Sequence, residues 1–165
     1  MALITLKGNP VNTSGNLPAI GSKAPDFTLV KNDLSELSLA DLRGKKVLLS
    51  ISPSLDTGIC ATSVRKFNQT AAGKSNTVVL AITKDLPFAN ARFCSTEGIE
   101  NVTALSGFRN YNFGKDYGLE IIDGSFKGLY SRVLIVIDEN GNIKYTQQVP
   151  EIAQEPDYDK ALAVL

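Results

Sequence analysis

Two almost wholly apolar segments, 46–51 and 77–83, constrain the fold of this chain most strongly. Each has the length and the continuous hydrophobicity of a strand that is buried on both faces. The residues between them predict a helix that runs through 61–69 to about Ala72 and Gly73. A strand, a helix and another buried strand form a βαβ unit, so the two strands are predicted to be parallel.

The remaining segments extend this pattern into a layered sheet. Before the βαβ unit, they predict a hairpin beginning at 3–6 and turning at 8–10, a strand over 26–30, a short strand or turn at 37–39 and a helical turn over 40–44. After it, they predict a helix over 87–97 closed by Gly98, a strand over 102–105 and a short helix over 110–117. A fourth core strand over 132–138, a hairpin turn at 138–141 into 142–147 and a last helix over 156–165 complete the predicted chain. We therefore predict a mixed α/β sheet with helices on both faces. Since no repeat or Pro/Gly-rich linker divides the chain, we expect one domain over 1–165.

The composition excludes several classes of partner. The 165 residues carry 17 basic and 17 acidic side chains, so the formal net charge is zero. Because nucleic acids and anionic membranes attract basic surfaces, neither is expected as a main partner. No apolar run approaches the roughly 20 residues that span a bilayer. The first ten residues also lack the pattern of a secretory signal, so we expect a cytoplasmic protein.

The chain contains no histidine and has two cysteines, Cys60 and Cys94. The absence of histidine excludes Ser-His-Asp catalysis, Cys-His catalysis and histidine metal sites. Two cysteines cannot by themselves supply the four ligands of a structural zinc site, and we expect neither a metal nor a cofactor. A cytosolic chain keeps its thiols reduced unless a disulfide has a catalytic or sensing task. The alternative is that both cysteines are small buried hydrophobic side chains.

Cys60 lies where the strand over 46–51 gives way to a helix. Free backbone N–H groups and the positive end of the helix dipole stabilise an anion at a first helical turn, and the thiolate is the reactive form of cysteine. Thr57 lies one turn earlier, where its hydroxyl can donate to a thiolate or cap the helix. The pattern Pro-x3-Thr-x2-Cys, which begins at Pro53, predicts a reactive-thiol site. Sites in such sheets form at the C-terminal ends of parallel strands, as this one would.

Several segments resemble the bacterial thiol peroxidases, a branch of the peroxiredoxins. They are PSLDTGIC at 53–60, SVRKFN at 63–68, DLPFA at 85–89, ARFC at 91–94, Gly8-Asn9-Pro10, the Ser-x-Phe-Arg-Asn segment at 106–110 and EPDY at 155–158. The similarity covers nearly the whole chain. It implies a thioredoxin-like fold with an N-terminal β-hairpin, reduction of hydrogen peroxide and alkyl hydroperoxides with electrons from thioredoxin, and a homodimer. Thr83-Lys84 and Ser52 depart from the residues usual in the family, which bears on substrate preference.

The resemblance also implies roles for individual residues. Cys60 matches the peroxidatic cysteine and Cys94 the resolving cysteine, while Pro53, Thr57 and Arg132 match the active-site proline, threonine and arginine. Cys60 would attack the peroxide to give a sulfenic acid, and Cys94 would then form a disulfide with it within one chain. Thioredoxin would reduce that disulfide by exchange.

Structural explanations exist beside these chemical ones. Thr57 is an ordinary helix cap, and Pro53 either ends the strand or shields Cys60 from water. Arg132 begins an apolar strand, where a charge is costly unless it is paired, and there it would stabilise a thiolate. Cys94 follows an aromatic residue on a predicted helix, where cysteine is often part of the core.

Two other functions stay open on the sequence alone. One is a non-enzymatic redox sensor, in which the same disulfide switches a partner. The other is a thioredoxin-like binding module whose cysteines are inert. A disulfide reductase is disfavoured because the chain has no C-x-x-C pair.

Overall fold

The structure, a computed structural model, describes residues 2–70 and 73–165 of the chain. The strands are β1 (Leu3–Leu6), β2 (Asn9–Asn12), β3 (Thr28–Lys31), β4 (Glu36–Ser38), β5 (Lys46–Ile51), β6 (Thr77–Thr83), β7 (Thr103–Ser106), β8 (Val133–Ile137) and β9 (Ile143–Gln148). The α-helices are α1 (Gly58–Thr70), α2 (Pro87–Glu97), α3 (Phe113–Asp116) and α4 (Tyr158–Ala163), with a 3-10 turn at Leu39–Leu42. Among the helices in these residues, none is long and apolar enough to cross a membrane.

Seven strands form one mixed sheet in the order β4-β3-β7-β6-β5-β8-β9. β5 and β6 are parallel and pair from Lys46–Thr77 to Ile51–Ile82, which confirms the predicted βαβ unit. β7 continues the parallel set beside β6, whereas β8 runs antiparallel to β5 on its other side. β5, β6 and β7 are successive neighbours, joined by α1 and then by α2. Right-handed crossovers that follow one another in the same direction across a sheet place their helices on the same side, so α1 and α2 cover one face.

Helices pack on both faces of the sheet, as predicted. On one face, the side chains of α1, α2 and α4 cover strand residues that point the same way, such as Leu48 and Val136. On the other face, alternate strand residues such as Leu49 and Ile135 pack against aromatic residues in and around α3. This alternation is the consequence of the two-residue period of a strand, and it leaves the central strands buried on both sides.

The observed bounds match the predicted ones closely where the apolar pattern is strong. β5 and β6 have the predicted limits, while α3 is shorter than the predicted helix over 110–117. The Asn110 side chain explains this difference, because its Oδ1 accepts hydrogen bonds from the backbone N–H groups of Asn112 and Phe113 in a local turn. The predicted end of α1 at Ala72 lies outside the described residues.

The chain ends in a helix that begins two residues later than predicted. The side chain of Asp157 caps α4 by accepting a hydrogen bond from the backbone N–H of Lys160 at 3.1 Å. A carboxylate at this position satisfies a free N–H group and faces the positive end of the helix dipole. The Asp157 cap therefore sets the helix start at Tyr158.

The predicted N-terminal hairpin is formed by β1 and β2 outside the large sheet. The turn is Lys7-Gly8 rather than the predicted 8–10, because Asn9 and Pro10 already pair with β1. Lys7 and Gly8 have positive φ angles of 51° and 80°, a geometry that favours glycine and matches the twist of a hairpin. The inner side of the hairpin, through Ile4 and Val11, packs on Ile121 and Ile152. This contact places the turn beside the loop that follows β9.

Candidate active site

Cys60 lies in the first turn of α1, directly after the loop that leaves β5. Its side chain is completely buried and unbonded to any other cysteine. The carbonyl of Thr57 accepts a hydrogen bond from the N–H of Ala61 at 3.0 Å, so the helical pattern already begins at Thr57. Cys60 is therefore one helical turn after Thr57, and Thr57 Oγ1 lies 2.6 Å from Cys60 Sγ.

The Thr57 hydroxyl has one proton and two acceptors within reach. The first is the carbonyl of Ser54 at 3.0 Å, and the second is Cys60 Sγ. A neutral Cys60 thiol can donate its S–H to Oγ1 while the hydroxyl donates to Ser54. When Cys60 is a thiolate, rotation of the hydroxyl redirects its proton to the sulfur. Thr57 can therefore partner both protonation states of Cys60 without movement of the backbone.

Arg132 approaches the sulfur from the neighbouring strand. β8 runs antiparallel to β5, and its first residue, Val133, is paired with Ile51 at the end of β5. This register brings Arg132 next to the Cys60 loop, where its Nη1 donates to Sγ at 3.3 Å. Its Nε donates to the carbonyl of Ile152 at 2.8 Å, and only 4% of the residue is exposed. A buried guanidinium needs a negative partner, so this arrangement stabilises negative charge on Sγ.

A cavity of about 290 Å³ opens beside the two groups that contact the sulfur. Its lining residues come from the hairpin turn, the start of α1, the loop before β8 and the loop after β9: Leu6, Lys7, Pro53, Thr57, Gly58, Ile59, Phe126, Arg132, Ile152 and Ala153. Pro53 is buried and forms part of the wall. In residues 2–70 and 73–165, no group of three or more His, Cys, Asp or Glu side chains is arranged to hold a metal ion.

Asp85, which the sequence patterns did not predict as a site residue, holds the loop before α1 in place. Its Oδ1 accepts a hydrogen bond from the Ser54 hydroxyl, and its Oδ2 accepts one from the N–H of Leu55, both at 2.8 Å. The N–H of Asp85 donates to Thr83 Oγ1 at 3.0 Å. The sequence could have indicated this contact. Asp85 follows β6, and the loop that carries Ser54 follows β5, so both lie at the edge of the sheet where these parallel strands end.

Cys94 lies apart from this group, half-buried on α2 and unbonded. Its side chain lies near Asn32, which follows β3. Cys60 instead accepts a hydrogen bond from Arg132, the residue just before β8. Cys94 is not among the residues that line the cavity beside Cys60. The structure therefore brings together Cys60, Thr57, Arg132 and Pro53 around this cavity, whereas Cys94 lies outside this group on α2.

We expect the Cys94 thiol to be labelled slowly at neutral pH and faster as the pH rises beyond 9. Burial raises the pKa of the Cys94 thiol, and the nearby Asn32 side chain offsets this only in part. A raised pKa leaves less thiolate at neutral pH, and the thiolate is the form that reacts. Iodoacetamide labelling of Cys60→Ser, followed by mass spectrometry across pH 7–10, measures the thiolate fraction. The same variant unfolded in denaturant is the control. If the labelling rate of the folded protein levels off at a lower pH than that of the unfolded control, the expectation is contradicted.

Known proteins resemble this chain along its whole length. Residues 19–162 match the Redoxin family. The thiol peroxidases of Mycobacterium tuberculosis (strain H37Rv) and Corynebacterium glutamicum are 56% and 55% identical to it over 165 residues, which cover 100% of this chain and 99% of each relative. A peroxiredoxin-like protein from Aquifex aeolicus superposes with a TM-score of 0.94 at 38% identity, covering 99% of this chain and 95% of that one.

A second solved structure supports the fold at lower identity. The thiol peroxidase from Chromobacterium violaceum superposes with a TM-score of 0.88 at 22% identity, covering 98% of this chain and 94% of that one. The predicted thioredoxin-like arrangement, with a mixed sheet, helices on both faces and an N-terminal hairpin, is thereby confirmed. With its Redoxin match and its full-length similarity to two thiol peroxidases, the chain belongs to the thiol peroxidases of the Redoxin family.

Proposed function

We propose that this protein is a thiol-dependent peroxidase that reduces hydrogen peroxide and organic hydroperoxides through Cys60. The observation that carries the proposal is the convergence of the Thr57 hydroxyl and the Arg132 guanidinium on one buried sulfur beside an open cavity. The relatives named thiol peroxidases support the same reaction class. In the reaction, these two donors hold the thiolate that attacks.

The first step transfers one oxygen atom from the peroxide to sulfur. The Cys60 thiolate attacks the terminal oxygen, an S–O bond forms, the O–O bond breaks, and the sulfur becomes a sulfenic acid. The leaving oxygen departs with the electron pair of the O–O bond and takes a proton from solvent to give water or an alcohol. Because negative charge moves from the sulfur toward the leaving oxygen, fixed donors such as Arg132 and Thr57 stabilise the transition state.

The second step forms a disulfide and releases water. The Cys94 thiolate attacks the sulfenic sulfur of Cys60, and the hydroxyl group leaves with a proton as water. A thioredoxin-type dithiol then reduces the disulfide by exchange and is itself oxidised. Since a disulfide requires Cα atoms within about 7 Å, the segments that carry Cys60 and Cys94 must move toward each other.

The weak attachment of α2 supports such a movement. Among its described residues only Pro87 and Asn90 are buried, and Phe88 is 67% exposed although phenylalanine is usually a core residue. Both polar side-chain atoms of Asn90 are buried, and no residue in the described part of the chain gives them a hydrogen-bond partner. An unsatisfied buried amide is destabilising, so this helix opens at a lower cost than a well-packed one.

Repeated turnover separates the enzyme from the redox sensor that the sequence left open. With thioredoxin, thioredoxin reductase and NADPH, the enzyme should oxidise many equivalents of NADPH for each protein chain when peroxide is added. A sensor would consume about one equivalent of peroxide and stop, and a module with inert cysteines would consume none. Either of those two results would overturn the proposed function.

Cys94→Ser should react with peroxide once and then stall. Its Cys60 remains in the same site, so one equivalent of peroxide is consumed at nearly the wild-type rate. Without the second thiol no intrachain disulfide forms, and Cys60 accumulates as the sulfenic or a more oxidised acid. Stopped-flow peroxide consumption and intact mass measure the two halves of this result. Normal cycling of the variant with thioredoxin would mean that Cys94 is not the resolving residue.

Hydrogen exchange should be faster in the disulfide form than in the reduced form at two segments only. We expect these segments to lie near 57–64 and 88–97, because they contain the two cysteines that must approach each other. β5 and β8 should exchange equally in both forms, since they are buried on both faces and retain their pairing. Identical exchange over 88–97 in the two forms would argue that no local opening accompanies the disulfide.

We also propose that the protein works in the cytoplasm as a homodimer of one-domain chains. A single sheet that includes strands from Thr28 to Gln148 supports one domain. Exposed aromatic side chains at Phe108 and Tyr111, on either side of Arg109, are a candidate contact surface. The zero net charge gives little repulsion between copies. Light scattering on the purified protein tests the dimer, which a mass of one chain would contradict.

A further inference from the structure

The carboxylate of Glu151 is the centre of a compact set of hydrogen bonds. Its Oε1 accepts from the N–H groups of Lys7 at 2.8 Å and Ala153 at 3.1 Å. Its Oε2 accepts from the Thr5 hydroxyl at 2.5 Å and from the N–H of Gly8 at 3.1 Å. These bonds, that from Thr5 above all, lower the pKa of Glu151 to about 2, so the side chain is charged at any physiological pH.

Two of the residues that Glu151 joins form parts of the cavity wall. Lys7 belongs to the hairpin turn and Ala153 to the loop after β9, and both line the cavity beside Cys60. The neighbouring residue Ile152 also lines the cavity, and its carbonyl accepts the hydrogen bond from Arg132 Nε. Glu151 itself is not among the lining residues, so any effect on the reaction passes through its neighbours.

We propose that Glu151 is a positioning residue that fixes the hairpin turn against the loop after β9 and thereby sets the shape of the peroxide site. The inference rests on the proposed function, because it concerns the same cavity. Two consequences follow from the contacts. The end of β1, next to the turn, presents Leu6 as an apolar wall to the organic group of a hydroperoxide, and the loop presents the Ile152 carbonyl that orients Arg132.

The two consequences predict a difference between substrates. Hydrogen peroxide has no apolar group and needs only the oriented donors, whereas an aromatic hydroperoxide also buries its ring against the wall. A loosened turn should therefore weaken the binding of an aromatic hydroperoxide more than it weakens the reaction with hydrogen peroxide. A purely structural role for Glu151 would lower both rate constants by the same factor.

Glu151→Gln is the most selective test of this role. The amide has the same shape, but only one of its two heavy atoms accepts hydrogen bonds, so two of the four donors lose their acceptor in either orientation. Asp123→Asn is the matched control. Asp123 attaches the other end of the hairpin, accepting from the N–H and the Nδ2 of Asn12, both at 2.8 Å, and it does not line the cavity.

The measurement is the second-order rate constant of Cys60 oxidation in stopped flow, with cumene hydroperoxide and with hydrogen peroxide. We expect Glu151→Gln to lose about tenfold with cumene hydroperoxide, the effect of one lost apolar contact, and at most about threefold with hydrogen peroxide. Asp123→Asn should keep the wild-type ratio of the two constants. An unchanged ratio in Glu151→Gln, or an equal change of ratio in Asp123→Asn, would overturn the inference.

A second variant covers the case in which Glu151→Gln does not fold. Thr5→Val keeps the side-chain shape and removes only the hydroxyl that donates to Oε2. It should change the ratio in the same direction by a smaller factor, and an unchanged ratio would overturn the inference. The wild type separates this inference from the proposed function, since a wild-type protein that reduces neither peroxide refutes the function itself.

Discussion

Cys60→Ser should abolish peroxide reduction and leave the fold intact. The chain has no histidine to activate another nucleophile, and Cys60 is the thiol that Thr57 and Arg132 contact. A serine oxygen cannot replace the sulfur, which is itself oxidised when it accepts the peroxide oxygen, so we expect the rate to fall by roughly a thousandfold or more. The thioredoxin-coupled assay measures the loss.

The fold of this variant is checked by circular dichroism and thermal unfolding. Serine is close to cysteine in size and can keep the hydrogen bonds to both donors, so the unfolding midpoint should move by only a few degrees. Cys94→Ser is the natural control, because it removes the other thiol and should keep the first turnover. A Cys60→Ser protein that retains a tenth of wild-type activity would refute the assignment of the nucleophile.

Arg132→Met should slow the reaction of Cys60 with peroxide by roughly 10²–10³, equivalent to about 3–4 kcal/mol of transition-state stabilisation. Methionine keeps an unbranched apolar stem in the buried position and removes both the charge and the hydrogen bond to the sulfur. Thr57→Val should also cause a large loss, because it removes the hydroxyl at 2.6 Å while keeping the β-branched shape. Stopped-flow kinetics of the first turnover isolate this step from recycling.

Arg65→Met is the matched control for the loss of a positive charge. Arg65 also lies on α1, but it is exposed and forms an ion pair with Glu97 at 2.8 Å rather than contacting the sulfur. Exposed ion pairs contribute little, so its peroxide kinetics should be close to those of the wild type. If Arg132→Met also reacts at a near-normal rate, the guanidinium has no part in the chemical step.

The parts of the fold that could be predicted are those with an unbroken local pattern. β5 and β6 are continuous apolar runs, and the structure gives them the predicted limits. Cys60 and Thr57 could be related to each other because one helical turn separates them along the chain. Arg132 lies 72 residues from Cys60, and only the antiparallel register of β5 and β8 explains why the two meet. Without the register, only the resemblance to a family predicts that pairing.

Other features depend on individual side-chain hydrogen bonds, which leave no periodic signal. Asn110 delays the start of α3, and Glu151 joins the hairpin turn to a loop that is more than 140 residues away in sequence. Phe88 is apolar and lies on a helix, yet it is mostly exposed because that helix buries few of its residues. The first of these is a local side-chain turn and the others arise from tertiary packing, and neither kind of contact is encoded by composition or periodicity.

The most direct test of the account is the intact mass of the protein after one equivalent of hydrogen peroxide under denaturing, alkylating conditions. The wild type should lose the mass of two hydrogen atoms, and peptide mapping should join the peptides of Cys60 and Cys94 within one chain. Cys94→Ser should instead gain the mass of oxygen on Cys60, and the peroxide should leave the mass of Cys60→Ser unchanged. A wild-type protein that gains oxygen without forming this disulfide, or a Cys60→Ser protein that is oxidised as fast as the wild type, would contradict the account.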